Sequence, residues 1–170
     1  MILRIFLFNK NNLNSINYEI NVIINLSNIY VTKIENLLNS LREFHCYGNE
    51  ITKIENLPNN LLKFNCFNNL ISKIVNWLNS LQKFTCPCNQ ITKIENLFNN
   101  LQEFDCSYNK IIKIKNLLNN LKAFSCSDNQ IFKIENLSNN LQEFPCSYNQ
   151  ITKIENLSTV YKVFIIIIIR

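Results

Sequence analysis

The amino-acid sequence predicts a repeat solenoid, in which one long parallel β-sheet faces a turn-rich opposite side, with little α-helix. Three observations lead to this fold class. A 20-residue motif recurs without a change of register over most of the chain. Each copy contains apolar and polar residues in alternation, which is typical of a short strand. After that strand only about nine residues remain for the return, which is short for a helix with its two loops.

Copies of the motif cover nearly the whole chain. Their common pattern is L-x-x-F-x-C-x-x-N-x-I-x-K-I-x-N-L-x-N-N, and positions are numbered 1 to 20 from its first leucine. Six regular copies occupy residues 41–60, 61–80, 81–100, 101–120, 121–140 and 141–160. Degenerate copies occupy 3–20 and 21–40, and a truncated copy occupies 161–170. We therefore expect residues 1–170 to form a single array without a separate catalytic domain.

The F-x-C segment is the predicted strand of each coil. Side chains two residues apart in a strand point to the same face, so the phenylalanine at position 4 and the cysteine at position 6 should both face the interior. Stacked coils then place equivalent strands in parallel at roughly 4.8 Å. The apolar residues at positions 11, 14 and 17 recur in steps of three. That spacing suits turns or an extended return.

The motif resembles the leucine-rich repeat. The segment L-x-x-F-x-C-x-x-N-x-I, as in residues 41–51, is similar to the family consensus L-x-x-L-x-L-x-x-N-x-L, with Phe and Cys in place of two leucines. The resemblance implies a horseshoe with the parallel sheet on its concave face and short turn, 3-10 or extended segments on its convex side. The 20-residue period and the ending around Pro58 resemble the short class of bacterial effectors, whereas segments 89–97 and 149–157 resemble the phosphatase-regulator class.

An asparagine stands at position 9 of every regular copy, where the chain leaves the strand. This Asn column consists of Asn49, Asn69, Asn89, Asn109, Asn129 and Asn149. Its amides can donate to and accept from main-chain groups that the turns leave unpaired. We therefore interpret the column as a structural ladder rather than a ligand site. Asparagine pairs at positions 19 and 20 are interpreted as turn residues, because Asn tolerates a left-handed backbone.

A cysteine stands at position 6 of every regular copy. This Cys column consists of Cys46, Cys66, Cys86, Cys106, Cys126 and Cys146. We interpret it as a stack of small buried side chains. The alternatives are disulfides between adjacent coils, for which parallel side chains are poorly aimed, and a metal site, which needs convergent ligands. His45 is the only histidine and Cys88 lies outside the column, so we expect neither a metal nor another cofactor.

The sequence offers no catalytic constellation. Gly48 is its only glycine, which excludes glycine-rich phosphate loops, and His45 is its only imidazole. We expect the protein not to be an enzyme. The formal net charge of +5 is mild and dispersed, so nucleic-acid binding is not expected either. Lysines at position 13 and glutamates at position 15 are interpreted as a solvated face with weak ion pairs.

The chain ends carry no recognisable targeting signal. The opening MILRIFLF is short and contains Arg4, and the apolar run 163–169 is too short to span a bilayer. We expect no signal peptide, no membrane association and a cytoplasmic location inside a cell. Asparagine makes up about a fifth of the residues, which is typical of AT-rich coding sequences such as those of some amoebae and large DNA viruses. For a viral protein the location would be the host cytoplasm.

The outward strand positions differ between copies while the interior repeats. We therefore expect a protein–protein interaction module that binds a partner protein on the concave face. The candidate contact residues lie at positions 5 and 7 and in the adjacent turns, and they are His45, Tyr47, Asn65, Phe67, Thr85, Asp105, Tyr108, Ser125, Asp128 and Tyr148. One alternative is a structural or vestigial array without a specific ligand. From the resemblance, a second alternative is a regulatory subunit of a protein phosphatase.

The sequence closes on an isoleucine-rich strand, residues 163–170. Both faces of this strand are apolar, unlike those of any regular copy. An apolar strand without a polar cap leaves a sheet edge that other strands can pair with, so we expect aggregation, edge-to-edge self-association or docking onto a partner.

Overall fold

The chain winds as a parallel β-solenoid, which confirms the predicted fold class. The computed structural model describes residues 2–4, 22–35, 37–74, 79–94, 99–115 and 120–155. Between regular copies, equivalent residues pair at a sequence distance of 20, as Phe44 pairs with Phe64. Most of the degenerate copy 3–20, the truncated copy 161–170 and the isoleucine-rich strand 163–170 lie outside the described residues.

Short strands account for all the regular secondary structure in these ranges. In chain order they are β1 (Ile2–Arg4), β2 (Val22–Asn25), β3 (Lys33–Glu35), β4 (Leu41–His45), β5 (Lys53–Ile54), β6 (Lys63–Asn65), β7 (Lys73–Ile74), β8 (Lys83–Thr85), β9 (Glu103–Asp105), β10 (Lys113–Lys115), β11 (Ala123–Ser125), β12 (Lys133–Glu135) and β13 (Lys153–Glu155). Nothing in the described part of the chain forms a helix that could span a membrane.

The main sheet contains one strand from each of six coils. Its spatial order is β2, β4, β6, β8, β9 and β11, and every neighbouring pair is parallel. The register between regular copies is uniform, because each phenylalanine at position 4 pairs with the phenylalanine of the next coil. A bridge between Ala123 and Glu143 carries the alignment into the following coil. This uniformity places side chains of the same repeat position in straight columns along the sheet.

The opposite side of the solenoid carries a second, broken set of strands. They form three small parallel sheets, β1–β3, β5–β7 and β10–β12–β13. Of the three conformations expected for the return, the described residues show turns and extended segments but no 3-10 helix. Each of these strands except β1 contains the isoleucine at position 14, which packs against the interior, and Ile114 and Ile134 are almost fully buried.

The interior is built from columns of identical side chains. Six phenylalanines form the Phe column, whose neighbouring rings stack with centroids 5.4 to 5.6 Å apart and interplanar angles of 4° to 24°. Its members are Phe44, Phe64, Phe84, Phe104, Phe124 and Phe144. Leucines at position 1 and isoleucines at position 11 fill the space beside the rings. Burial of each such side chain stabilises the fold by about 2 kcal/mol. A single coil cannot bury these side chains without neighbouring coils, so the coils stabilise one another.

Ion pairs connect the coils on the return side, and they predict a loss of stability in acid. Lys133 lies 2.7 Å from Glu135 and 3.1 Å from Glu155, and Lys113 lies 3.3 Å from Glu135. The hydrogen bond from Lys133 is the main reason that the pKa of Glu135 lies below its ordinary value of 4.5. A carboxyl with a lowered folded-state pKa stabilises the fold above its unfolded pKa, and this contribution disappears as pH falls through the folded pKa.

We therefore expect the melting temperature to decrease as pH falls below the ordinary glutamate pKa of 4.5. The Glu135→Gln variant should show a shallower decrease, because its side chain cannot be protonated. Thermal unfolding followed by circular dichroism from pH 6 to pH 3 measures both curves. Parallel curves for the two proteins would contradict a role for Glu135 in acid sensitivity.

Candidate functional site

The Asn column binds main-chain groups of two coils at once. The Nδ2 of Asn89 lies within 3.0 to 3.1 Å of the carbonyl oxygens of Cys66, Cys86 and Pro87, to which it donates. Its Oδ1 accepts the N–H of Ile71 at 3.0 Å. Equivalent bonds are made by Asn49, Asn69, Asn109, Asn129 and Asn149. These amides are therefore occupied by the fold and are not offered to a ligand.

A second asparagine ladder runs along the other ends of the strands of the main sheet, at position 20, where the chain enters each strand. The side-chain amide of Asn60 donates to the carbonyl of Asn39 at 3.1 Å, and that of Asn100 donates to Asn79 at 2.7 Å. These bonds are exposed, unlike those of the Asn column. Sequence reasoning interpreted such residues only as turn formers, whereas the structure shows that they also tie each turn to the preceding coil.

The Cys column is enclosed by the fold, and all its thiols are free. Each thiol is at most 1% exposed. Burial raises the pKa of these thiols, well above the ordinary 9.0 for Cys86 and to about 11 for Cys146. Cys88 lies outside the column and is partly exposed. Its pKa is also raised, first by partial burial and then by the charges of Asp105 and Asp128.

We expect N-ethylmaleimide to modify Cys88 far faster than any of the other six cysteines of the folded chain. The thiolate is the reactive species, and the column thiols are buried and protonated. The rate at Cys88 should increase as pH rises toward its elevated pKa. Peptide mass spectrometry after timed labelling measures both effects, with a urea-unfolded sample as the control. A column cysteine labelled as fast as Cys88 under native conditions would contradict the enclosure described above.

Two candidate contact residues of the main sheet, both at position 5, also serve the turn that follows each strand. The Oδ1 atoms of Asn65 and Asp105 each accept the main-chain N–H two residues later at 3.0 Å. The hydroxyl of Ser125 lies 2.7 Å from that of Ser107, which is only 6% exposed. All three candidates stay partly exposed, so the local bonds leave surface for contact.

Sequence reasoning missed a third outward column, at position 3. It contains Glu43, Lys63, Lys83, Glu103, Ala123 and Glu143. Lys83 pairs with Glu103 at 2.6 Å, while Glu43 pairs with Lys63 at 3.3 Å and with His45 at 2.9 Å. The period-two alternation that places positions 5 and 7 outward also places position 3 outward, so the signal was present.

The outward columns line two open depressions on the main sheet. The larger, of about 410 Å³, extends from Lys83 to Pro145 and includes the carboxylates of Glu103, Asp105 and Glu143. The smaller, of about 190 Å³, lies around His45 and Lys63. The charge of the sheet surface therefore changes along the solenoid, from mixed near the first regular coils to mainly acidic farther on.

A row of turn residues adjoins the sheet at position 8, and all of them have a left-handed backbone. Their φ angles are 53° to 65°, at Gly48, Asn68, Cys88, Tyr108, Asp128 and Tyr148. Gly, Asn and Asp adopt this conformation readily, whereas Tyr does not. The side chains of Tyr108 and Tyr148 are 58% and 78% exposed. The charge of Asp128 raises the pKa of the Tyr108 phenol.

His45, Tyr47, Thr85 and Phe67 complete the set of candidate contact residues. The first three are partly exposed, and Phe67 is 39% exposed. The structure therefore brings all ten candidates onto the main sheet or its adjoining turns. Among the described residues, no three His, Cys, Asp or Glu side chains converge as a metal site.

The stacked 20-residue coils, with an asparagine where each strand ends, define a leucine-rich-repeat fold. YopM from Yersinia enterocolitica has a similar structure, with a TM-score of 0.63 and 20% identity, over 80% of this chain and 35% of its own. An internalin, InlF, from Listeria monocytogenes is similar with a TM-score of 0.54 and 20% identity, over 78% of this chain and 47% of its own.

Both similar structures are leucine-rich-repeat proteins. The chain spans about a third of the length of YopM and about half that of the internalin. No protein-family model and no curated protein sequence matches it. At this level of identity the likeness shows the fold alone.

Proposed function

We propose that the chain is a protein-recognition module that binds a partner protein on its main sheet, the concave face of the predicted horseshoe. The observation that carries the proposal is the contrast between two sets of columns. Interior positions repeat almost without change, whereas the outward position 5 reads His45, Asn65, Thr85, Asp105, Ser125 and Pro145. A rigid parallel sheet holds such varied side chains side by side over several coils, which suits recognition of a folded surface.

The likeness to other leucine-rich-repeat proteins supports a general interaction role. The outward surface also has the composition of an interface. Aromatic anchors such as Tyr47 and Phe67 lie beside charged and small polar side chains, and aromatic residues carry much of the binding energy in protein interfaces. An array without a specific ligand is the competing hypothesis, and it predicts that these side chains can change without effect.

The proposal is tested by capturing proteins from a lysate of the source cells. The three baits are the intact chain, a sheet variant and a control variant. The sheet variant combines Tyr47→Ser, Phe67→Ser and Lys83→Ala, because other coils already carry Ser at position 7 and Ala at position 3. The control variant combines Thr52→Ala, Ser72→Ala and Thr92→Ala, which are exposed on the return side. All three baits are first matched by circular dichroism and melting temperature.

The proposal expects at least one protein that the intact chain and the control variant retain and that the sheet variant loses by about tenfold or more, as expected when anchor residues are removed. Identical protein sets for all three baits would favour an array without a ligand.

Regulation of a protein phosphatase is a narrower form of the same proposal. It is supported by the likeness of segments 89–97 and 149–157 to the phosphatase-regulator class. Its test is whether a phosphatase catalytic subunit is among the proteins that depend on the main sheet. A partner that depends on the main sheet but is not a phosphatase would support recognition by the main sheet and contradict phosphatase regulation.

A further inference from the structure

Two exposed tyrosines flank a carboxylate on successive turns of the solenoid. Tyr108, Asp128 and Tyr148 occupy position 8 of three consecutive coils, each with φ of 53°. Equal backbone angles give equal Cα–Cβ directions, so the three side chains leave the turns side by side. The N–H of Tyr108 donates to the carbonyl of Ser127 at 2.9 Å, and the N–H of Asp128 donates to that of Ser147 at 2.9 Å. The row is therefore held in place by the main chain.

The spacing of the coils leaves room for one flat cation between the rings. Adjacent parallel rungs lie about 4.8 Å apart, so the Cα atoms of the two tyrosines, two rungs apart, are separated by about 10 Å. A group midway between rings that project in parallel from these Cα atoms lies about 5 Å from each ring, inside the range of about 6 Å for a cation–π contact. Asp128 stands on the rung between them, and because aspartate is shorter than tyrosine its carboxylate lies at the base of the gap.

The surroundings of this row are acidic, although the whole chain carries a net charge of +5. Asp105 and Glu143 lie on the adjoining main sheet. Within the described ranges, neither these two carboxylates nor Asp128 forms an ion pair with a lysine or arginine. These negative charges are therefore available to a positive group of a partner protein.

Turn geometry does not account for the tyrosines. The left-handed position 8 is filled by Gly48, Asn68 and Asp128, residue types that tolerate this conformation, and by Cys88, which like tyrosine does not favour it. A tyrosine in the same conformation costs about 1 kcal/mol or more. The ring is exposed, so packing does not offset that cost. The two exposed tyrosine rings are therefore surface that neither the turn nor the interior requires.

We propose that Tyr108, Asp128 and Tyr148 form a clamp for an arginine side chain of the partner protein, with the guanidinium stacked between the two rings and hydrogen-bonded to Asp128. Arginine fits better than lysine, because the guanidinium is planar, stacks on aromatic rings and binds a carboxylate through two N–H groups. This inference rests on the proposed function, since it states which chemistry the partner presents beside the main sheet.

Fluorescence anisotropy with labelled peptides tests the clamp on the purified full chain. The probe is an extended Arg-Gly-Arg-Gly-Arg peptide, compared with its citrulline and lysine counterparts at physiological salt. The variants are Tyr108→Asn, Asp128→Asn and Tyr148→Asn, because Asn68 shows that position 8 accepts asparagine. Tyr30→Asn is the matched control, since Tyr30 is 75% exposed and left-handed with φ of 58° but lies far along the array.

Each clamp variant should bind the arginine peptide about tenfold more weakly than the intact chain, and Tyr30→Asn should bind it unchanged. The citrulline and lysine peptides should bind the intact chain more weakly than the arginine peptide. Equal binding of either counterpart, no binding of the arginine peptide, or unchanged binding by the tyrosine variants would overturn the clamp.

Failure of the clamp is distinguishable from failure of the proposed function. A partner that is lost from the sheet variant but retained by a Tyr108→Asn and Tyr148→Asn double variant supports recognition by the main sheet and removes the clamp from it. Binding of the arginine peptide without any sheet-dependent partner in the lysate supports the clamp chemistry and removes the proposed function.

Discussion

Replacing Asn89 with alanine is expected to lower the free energy of unfolding by about 4 kcal/mol, because several buried main-chain groups lose their partner together. The amide donates to the carbonyls of Cys66, Cys86 and Pro87 and accepts the N–H of Ile71. Alanine offers neither donor nor acceptor, and Ile71 is fully buried, so water cannot replace the lost acceptor without opening the coil.

Urea unfolding followed by circular dichroism measures this loss. The matched control is Asn100→Ala. This variant removes a similar side-chain hydrogen bond, from the amide of Asn100 to the carbonyl of Asn79, at an exposed position. Water satisfies the carbonyl there, so the control should lose less than about 1 kcal/mol. Equal losses in the two variants would show that burial of the Asn column is not the source of its contribution.

Replacing Phe84 with alanine should cost about 3–5 kcal/mol, a typical value for removal of a fully buried ring. Phe84 is 1% exposed and stacks between Phe64 at 5.5 Å and Phe104 at 5.4 Å. Removing it leaves a cavity in the middle of the Phe column and removes the stacking of both neighbours. The coils cannot close the gap, because the main sheet holds their spacing.

Two further variants separate ring stacking from volume. Phe84→Leu preserves most of the apolar volume and should cost about 1–2 kcal/mol. Phe144→Ala should cost less than Phe84→Ala, because Phe144 is 8% exposed and stacks on Phe124 alone among the described rings. If Phe144→Ala destabilises the protein as much as Phe84→Ala, the column does not act through contacts on both ring faces.

The fold could be predicted because its determinants are local and repeated. The period-two alternation around Phe44 and the fixed spacing to Phe64 specify both the inward face and the strand register. The conformation of the return could not be fixed in the same way. Residues in steps of three suit both turns and extended chain, and only pairing between coils, as of Lys113 with Lys133, selects the short strands that are present.

The candidate surface was only partly predictable. Alternation identifies outward residues, including the omitted column of Lys83 and Glu103, but it does not show which of them also bond to their own turn. Asp105 does so because the chain bends after the strand, which depends on main-chain angles that sequence periodicity does not contain. The left-handed backbone at Tyr108 and Tyr148 was unpredictable for the same reason, since tyrosine does not signal that conformation.

The nearly constant sequence separation between hydrogen-bonded residues of adjacent regular copies has a consequence for folding kinetics. Between the regular copies, hydrogen bonds join residues 17 to 23 apart in sequence. Closing each coil therefore requires a loop of only about 20 residues, and the entropy cost of closing a loop increases with its length. The relative contact order is then low for a β-protein, nearer to that of mixed α/β domains than to that of β-sandwiches. We expect the chain to fold by adding coils to a central pair, and its terminal coils to exchange amide hydrogens first.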